Sequence, residues 1–440
     1  MTEASAGAEP APFLTRTLGV RSEELTAVAW SFAYFFAILA GYYMLRSVRE
    51  TMAIVSGVAN IPWLYTGTFV VMLIATPIFG WVASRFPRKV FLPWVYYFFI
   101  LNIGVFYLAF TQIDPASPLQ AWIARAFFVW LSVFNLFVVA VFWGFMADIY
   151  SGEQSRRLFG LISAGGSAGA FLGPLVTSEL VLYIGFENLL PMSAGLLGFS
   201  VYCIYRLRRW AIGDAGDNSD AAATNRGLGG TSLAGVRFTF TSPYFGAIAG
   251  TMLLSNFVGV VIYIYMADLV SQTFPDTNQQ TQVFARIDAA SNLLAFIGQF
   301  FLVRLIVQRF GIGATLTILP LLSLIGFAVL AVNPAFAVLA TVQILRRSIG
   351  YGIAKPANDM LYGVVSREEK YKAKSFIDTA VWRGSDLVGA WSVRFLAAAA
   401  GLSGVALLCL PIAAAWAVLT TWLGRQYRRK DRAAVEAAVA

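Results

Sequence analysis

Nine bases and six acids interrupt or flank the apolar runs of this 440-residue sequence. The bases are Arg46, Arg49, Arg125, Arg286, Arg346, Arg347, Lys355, Arg383 and Arg394, and the acids are Glu50, Asp148, Asp288, Asp359, Asp378 and Asp386. Histidine is absent, which removes imidazole acid–base catalysis, imidazole metal ligation and imidazole proton relays together. The two cysteines, Cys203 and Cys409, lie in apolar runs far apart, so neither a disulfide framework nor a thiolate metal site is expected. Neither an enzyme, a metal nor a cofactor is expected. What remains is electrostatic work: arginines that attract an anion, and carboxylates that pair with them or carry protons.

Charges in such surroundings are costly, about 2.5–3.5 kcal/mol each at a bilayer centre on insertion scales. They persist where they face water or one another. On a helix at about 100° per residue, Tyr42, Tyr43, Arg46, Arg49 and Glu50 fall within roughly 120°. By the same geometry Ser375, Asp378, Trp382, Arg383, Asp386 and Arg394 fall within roughly 160°. Each stretch therefore has one polar face and one apolar face. Two explanations meet this pattern: buried ion pairs that hold helices together, such as Arg46 with Glu50 and Arg383 with Asp386, or a hydrated solute pathway. The number of charges favours the pathway, and their basic surplus favours an anionic cargo.

The elements that must position these residues are membrane spans. The chain is 58% hydrophobic and 12% charged, whereas soluble domains average about 25% charged residues. Runs of about 20 apolar residues each predict spans at 26–48, 60–83, 89–111, 119–147, 157–183 and 187–207. A second set is predicted at 242–268, 281–307, 313–331, 334–356, 373–397 and 401–424. The fold class is thus an all-α integral membrane protein with 12 transmembrane helices in two six-helix bundles. The expected divisions are a cytoplasmic N-terminus (1–25), an N-terminal bundle (26–210), a cytoplasmic linker (211–240), a C-terminal bundle (241–426) and a cytoplasmic tail (427–440). "GDAGDNSDAAATNRGLGG" within the linker is too polar and small to build a core. The first 25 residues hold Glu3, Glu9, Glu23 and Glu24, and no small-residue cleavage site follows, so an uncleaved N-terminus is expected.

Orientation follows from the bases. With both termini inside, the cytoplasmic segments collect most of the 32 Lys and Arg residues, while the outer loops 112–120, 184–187, 269–282 and 332–335 hold none. The expected location is the bacterial cytoplasmic (inner) membrane. The net charge of +9 is spread over short loops and builds no nucleic-acid surface, so the expected partners are membrane lipid and a small anionic solute, with no nucleic acid. Oligomeric state is not legible.

The halves echo each other, since the Arg-Phe of "ASRFPRKVFLPWV" (83–95) recurs in "VQRFGIGATLTIL" (307–319). "GWVASRFPRK" (80–89) resembles the signature loop of the major facilitator superfamily at Gly80, Arg85, Arg88 and Lys89. Ser84 and Pro87 replace its Asp and Gly; an ordinary basic turn is the alternative. "SAGGSAGAFLGPL" (163–175) holds Gly165, Gly169, Gly173 and Pro174, which resemble that superfamily's antiporter signature and equally fit close helix packing. In "PANDMLYG" (356–363), Pro356 is expected to kink its helix and set Lys355 and Asp359 at the cytoplasmic mouth.

At several of these residues the chain resembles the ATP/ADP antiporters of plastids and intracellular bacteria, as a divergent member. That family ends its first helix in Leu-Arg-Asp-Thr-Lys-Asp-Thr and then Ile-Pro-Phe; here Leu45-Arg46-Ser47-Val48-Arg49-Glu50-Thr51 is followed by Ile61-Pro62. Its Glu-Ala-Lys-Arg-Phe-Tyr resembles Gln154-Ser155-Arg156-Arg157-Leu158-Phe159, and its Pro-Thr-Lys-Glu-Met-Ala-Tyr resembles Pro356-Ala357-Asn358-Asp359-Met360-Leu361-Tyr362. "KAKSFIDTAVWRGSDLVG" (372–389) resembles its Lys-Gly-Lys-Ala-Ala-Ile-Asp region through Lys374, Ile377, Asp378 and Arg383. Arg49 and Asn358 stand where the family has Lys, and Asp386-Leu387-Val388-Gly389 stands for its Lys-Ser-Gly-Gly.

The resemblance implies a secondary transporter that moves an anionic, nucleotide (ATP/ADP-like) solute by alternating access and exchange. Tyr42, Arg46, Arg49, Glu50, Arg125, Arg286, Arg383 and Asp386 are the expected substrate-binding residues. Gating or coupling is expected of Asp148 with Arg156, Asp359 with Lys374, and Lys355, with Asp288 or Asp378 as proton carriers if transport is proton-coupled. The alternatives are a proton-coupled permease for an unrelated organic solute or drug, and a non-transporting receptor or assembly partner.

Overall fold

The computed structural model describes residues 20–85, 88–214, 239 and 241–439. The expected N-terminal segment up to residue 19, the linker over 215–238, the turn at 86–87 and the side chains of Ser84, Arg88, Lys89 and Ser375 lie outside the described residues.

Among the described residues the chain is helical and contains no strand. The N-terminal half comprises α1 (Leu25–Val55), α2 (Ile61–Arg85), α3 (Arg88–Gln112), α4 (Pro118–Ile149), α5 (Gly152–Ile184) and α6 (Leu189–Asp214). The C-terminal half comprises α7 (Pro243–Thr273), α8 (277–310), α9 (312–332), α10 (336–360), α11 (367–400) and α12 (402–439). Nine described segments are long and apolar enough to cross a membrane on composition alone. Twelve helices arise because Thr277–Val332 is broken at Gly311 (φ 78°), and because α10 and α11 cross while carrying the charges listed above. A second break, at Gly401 (φ 62°), separates α11 from α12. Both breaks need positive φ, which glycine alone adopts without cost.

Successive helices alternate in direction, so the start of α1, the end of α6, the start of α7 and the end of α12 share one face, here called the linker face. Large apolar side chains such as Trp81, Trp94, Leu101, Trp122, Phe301 and Val418 are exposed around the circumference, as lipid-facing surface requires.

The N-terminal half is knit by backbone contact and aromatic packing. Ideal Cβ atoms on Gly165, Gly169 and Gly173 would lie 2.5 Å from the Phe32 carbonyl oxygen, 2.3 Å from that of Phe36 and 2.5 Å from that of Ala40. The glycine stripe of α5 thus lets α1 approach to backbone contact, which is the packing alternative for that motif. Phe35 stacks on Phe142 at 4.2 Å, and Phe79 on Phe137 at 4.4 Å.

The C-terminal half differs. Its helices contain three π turns, at Gly298–Leu302 in α8, Gly350–Ala354 in α10 and Ile377–Val381 in α11. The first two meet: a Cβ on Gly298 would lie 3.4 Å from Ile353 and one on Gly352 would lie 2.5 Å from the Ala295 carbonyl oxygen. Pro356 lies two residues after the end of the α10 π turn, where the local change of pitch accommodates the hydrogen bond that proline cannot donate.

Candidate functional site

Between the halves lies a cavity of about 490 Å³, in the size range of small-molecule sites, roughly 300–1,000 Å³. The polar face of α1 supplies Tyr42, Tyr43, Arg46, Arg49 and Glu50; α2 adds Tyr65 and Thr68; α4 adds Phe128, Ser132 and Asn135. From the other half, α7 presents Thr251, Asn256 and Tyr263, α10 presents Gln343, Arg346, Arg347, Lys355, Asn358 and Asp359, α11 presents Asp378, Trp382, Arg383 and Asp386, and α12 presents Trp416.

A five-membered charge network crosses the wall. Arg49 Nη2 lies 2.6 Å from Glu50 Oε1, and Arg46 Nε lies 3.6 Å from the same oxygen. Arg46 Nε is also 3.6 Å from Oδ2 of Asp288 on α8, which is buried behind the wall and paired closely with Arg347. Arg46 therefore couples α1 of one half to α8 of the other. Its guanidinium also sits over the Tyr43 ring, and that of Arg49 over Phe128.

Nearer the linker face the charges pair within the C-terminal half. Lys355 Nζ is 3.9 Å from Asp378 Oδ1, Arg383 Nη1 is 3.9 Å from Asp386 Oδ2, and Lys374 pairs closely with Asp359. Arg346 differs from all of these. Its Nη1 donates to the Ser255 carbonyl at 3.4 Å, its Nε has no protein acceptor, and no carboxylate pairs with it among the described residues. Further buried polar atoms without a protein partner surround the cavity, on Thr68, Thr251, Tyr263, Gln343, Asn358, Tyr362 and Trp416. A lining of this kind suits water and a polar solute.

Several expected site residues lie elsewhere. Arg286 faces outward into a separate groove of about 460 Å³ with Leu182, Phe274 and Phe336, because two residues along a helix turn it about 200° from Asp288. Arg125 sits at the end of the bundle opposite the linker, where it donates to the Ser56 carbonyl at 3.3 Å over the Trp122 ring. Asp148 and Arg156 are exposed on the linker face and do not line the cavity. On the same face Arg157 lies 2.7 Å from buried Glu24, and Arg21 lies 3.1 Å from Glu153. Arg346 and Arg347 line the cavity although no role for them follows from sequence; their adjacency in an apolar stretch is the signal that marks them.

The cavity is closed at the end opposite the linker face. There Thr51 and Thr281 hydroxyls meet at 2.9 Å, the Phe186 amide donates to Asn278, Gln282 donates to the Ser178 carbonyl, and Arg394 donates to the Ala59 carbonyl. Trp391 donates to Thr66 and packs edge-on against Trp63. A buried apolar cluster of Ala53, Ile61, Leu64, Phe128 and Ala267 backs these contacts. Every bond in this set joins one half to the other or seals their junction.

No family model matches the chain. Curated relatives are distant and span nearly its whole length. ADP,ATP carrier protein 2 of Chlamydia trachomatis serovar D is 23% identical over 91% of this chain and 88% of its own length. ADP,ATP carrier protein 2 of Chlamydia pneumoniae is 22% identical over 90% and 87%, and ADP,ATP carrier protein 1 of Chlamydia trachomatis serovar D is 21% identical over 92% and 88%. Among solved structures, a bacterial homologue of the iron transporter ferroportin in its inward-facing state superposes with a TM-score of 0.63 at 13% identity, covering 92% of this chain and 98% of that one. The nucleoside transporter NupG gives 0.57 at 14% identity over 93% and 99%. These likenesses fix the architecture as that of the major facilitator transporters. The chain is thus a membrane transporter of major facilitator-type fold, similar along most of its length to the ADP,ATP carrier proteins.

Proposed function

We propose that the chain moves an anionic, nucleotide-like solute by alternating access, in exchange for a second anion, and that the form described is inward-facing. The single observation that carries this reading is the arginine-rich cavity between two halves that, among the described residues, are sealed against each other at the end opposite the linker face. Arg46, Arg49 and Arg347 outnumber Glu50 and Asp288, and Arg346 adds a further positive charge. Such a surplus in a low-dielectric cleft attracts anions. The concentration of Lys and Arg on the linker face supports placing that face in the cytoplasm of a bacterial inner membrane.

In this reading Arg46 is the coupling residue. Its contact with Asp288 joins the halves only while the far end is closed. An anion that takes over the guanidinium releases that contact, and rocking of the halves follows. Lys374 with Asp359 and Lys355 with Asp378 lie at the open mouth, where closure on the linker face would rearrange them.

Uptake of labelled ADP and ATP into proteoliposomes, with and without nucleotide inside, tests the reading. Uptake that requires internal nucleotide supports exchange; equal uptake in both conditions rules it out, and no uptake of either rules out these nucleotides. A second reading, proton-coupled permeation, draws on the carboxylates Asp378 and Asp386 in the cavity wall. It requires an imposed pH gradient to drive uptake.

A further inference from the structure

The pairing pattern of the cavity counts the charge of its ligand, an inference that rests on the anion-transport reading above. Lys355, Lys374 and Arg383 each have a carboxylate of their own. Arg46, Arg49 and Arg347 share two, Glu50 and Asp288. Arg346 has none among the described residues. Two positive charges are therefore left over, one in the shared network and one on Arg346.

The position of Arg346 is built. A Cβ on Gly259 of α7 would lie 2.7 Å from its Nη2 and 3.3 Å from its Cζ, so only glycine leaves room for the guanidinium there. The Ser255 carbonyl, one turn earlier on α7, holds Nη1 at 3.4 Å while Nε stays unpartnered. A guanidinium held on one edge and free on another can present a fork to a carboxylate or phosphate.

We propose that the cavity is charge-matched to a dianion and that Arg346 is the residue that receives its anionic group. Among nucleotides this selects a nucleoside monophosphate, or a triphosphate whose charge is reduced by bound magnesium, over a free triphosphate. A ligand of higher charge leaves its excess buried without a counter-ion, which a low-dielectric site penalises. Neutral adenosine leaves the two surplus cations unmatched.

The test is equilibrium binding to the purified full-length protein of adenosine, AMP, ADP and ATP at fixed ionic strength, with and without magnesium. The base is constant across this series, while the charge steps from zero to about two for AMP and upward by roughly one per added phosphate. AMP is expected to bind about tenfold or more tighter than magnesium-free ATP, and magnesium is expected to tighten ATP. Arg346→Gln should weaken AMP about ten- to a hundredfold, as loss of a charged hydrogen bond does. Gly259→Ala, which displaces the guanidinium and keeps its charge, should weaken AMP less. Asp386→Asn, which frees Arg383, should move the optimum from AMP to ADP, a change that a merely structural residue would not produce. Arg346→Lys controls for folding and should preserve the order. Affinity that climbs from AMP to magnesium-free ATP, or an order unmoved by both charge variants, overturns the charge match and leaves anion transport standing. Failure of all four ligands to bind, together with failure of a succinate and citrate series, overturns the anion reading itself.

Discussion

Substituting Asp288 by Asn tests whether the charge network joins the two halves or merely sits between them. Asp288 is 2% exposed, with Arg347 on one oxygen and Arg46 Nε 3.6 Å from the other. Removing the carboxylate charge leaves the buried Arg347 without a counter-ion and Arg46 with Glu50 alone. Breaking a buried pair in this way costs about 3–5 kcal/mol, most of it from the abandoned charge. Arg347→Gln should cost less, about 1.5–3 kcal/mol, because Asp288 keeps Arg46. In the double variant no charge is stranded, so its loss should be smaller than that of Asp288→Asn alone. The coupling energy should fall at the upper end of the range of about 0.5–3 kcal/mol seen for interacting neighbours. The measurement is equilibrium unfolding in mixed micelles by titration with a denaturing detergent, for the parent, both single variants and the double. Losses in the double equal to the sum of the singles would refute the reasoning, since independent sites add.

Three further outcomes follow from the geometry. Gly169→Ala should destabilise the protein by about 1–3 kcal/mol or more, because its methyl would meet the Phe36 carbonyl at 2.3 Å; Gly104→Ala, with nothing within 4 Å, should be neutral or stabilise by up to about 1 kcal/mol, and thermal melts of both check the contrast. Thr51→Cys with Thr281→Cys places two thiols where hydroxyls meet at 2.9 Å, so oxidation should stop transport and reductant restore it, against a background of two buried native cysteines; continued uptake by the cross-linked protein would show that the closed end need not open. Gly311→Ala should lower stability by about 1–2 kcal/mol, since φ of 78° is strained for any side chain, and a melt at constant detergent measures it.

Much of this architecture is readable from periodicity, and the parts that are not share a cause. Each predicted span overlaps one helix, including the division of the apolar stretch around Gly311, because glycine and charge mark the turns; the ends are less legible, since α1 and α6 run seven residues past their predicted ends and α12 continues to Val439, 15 residues past 424. Arg46, Arg49 and Glu50 share a face by angle alone, and that face lines the cavity. Arg286 shows the limit: hydropathy treats it like Asp288 two positions on, yet one faces outward and the other the interface. Sequence points to Glu50, on the same helix, as the partner of Arg46, since i,i+4 pairs are visible in sequence. Asp288 is 242 positions away and becomes its partner only through the packing of α1 against α8. Arg346 and Arg347 are neighbours in sequence but differ by about 100° around α10, which separates a neutralised base from an unneutralised one.

The three π turns make the two halves mechanically unequal. An α-helix resists compression along its axis because every amide is already committed, whereas a π turn holds one surplus residue that can pass along the helix at little cost. The N-terminal half, welded along its glycine stripe, behaves as an anvil. The C-terminal half carries slack in α8, α10 and α11, and two of those three turns lie beside cavity residues. In the proposed rocking cycle these turns would make the motion asymmetric: the N-terminal half would serve as the reference, and the work of moving a solute would fall on the helices that also hold Lys355, Asp378 and Arg346.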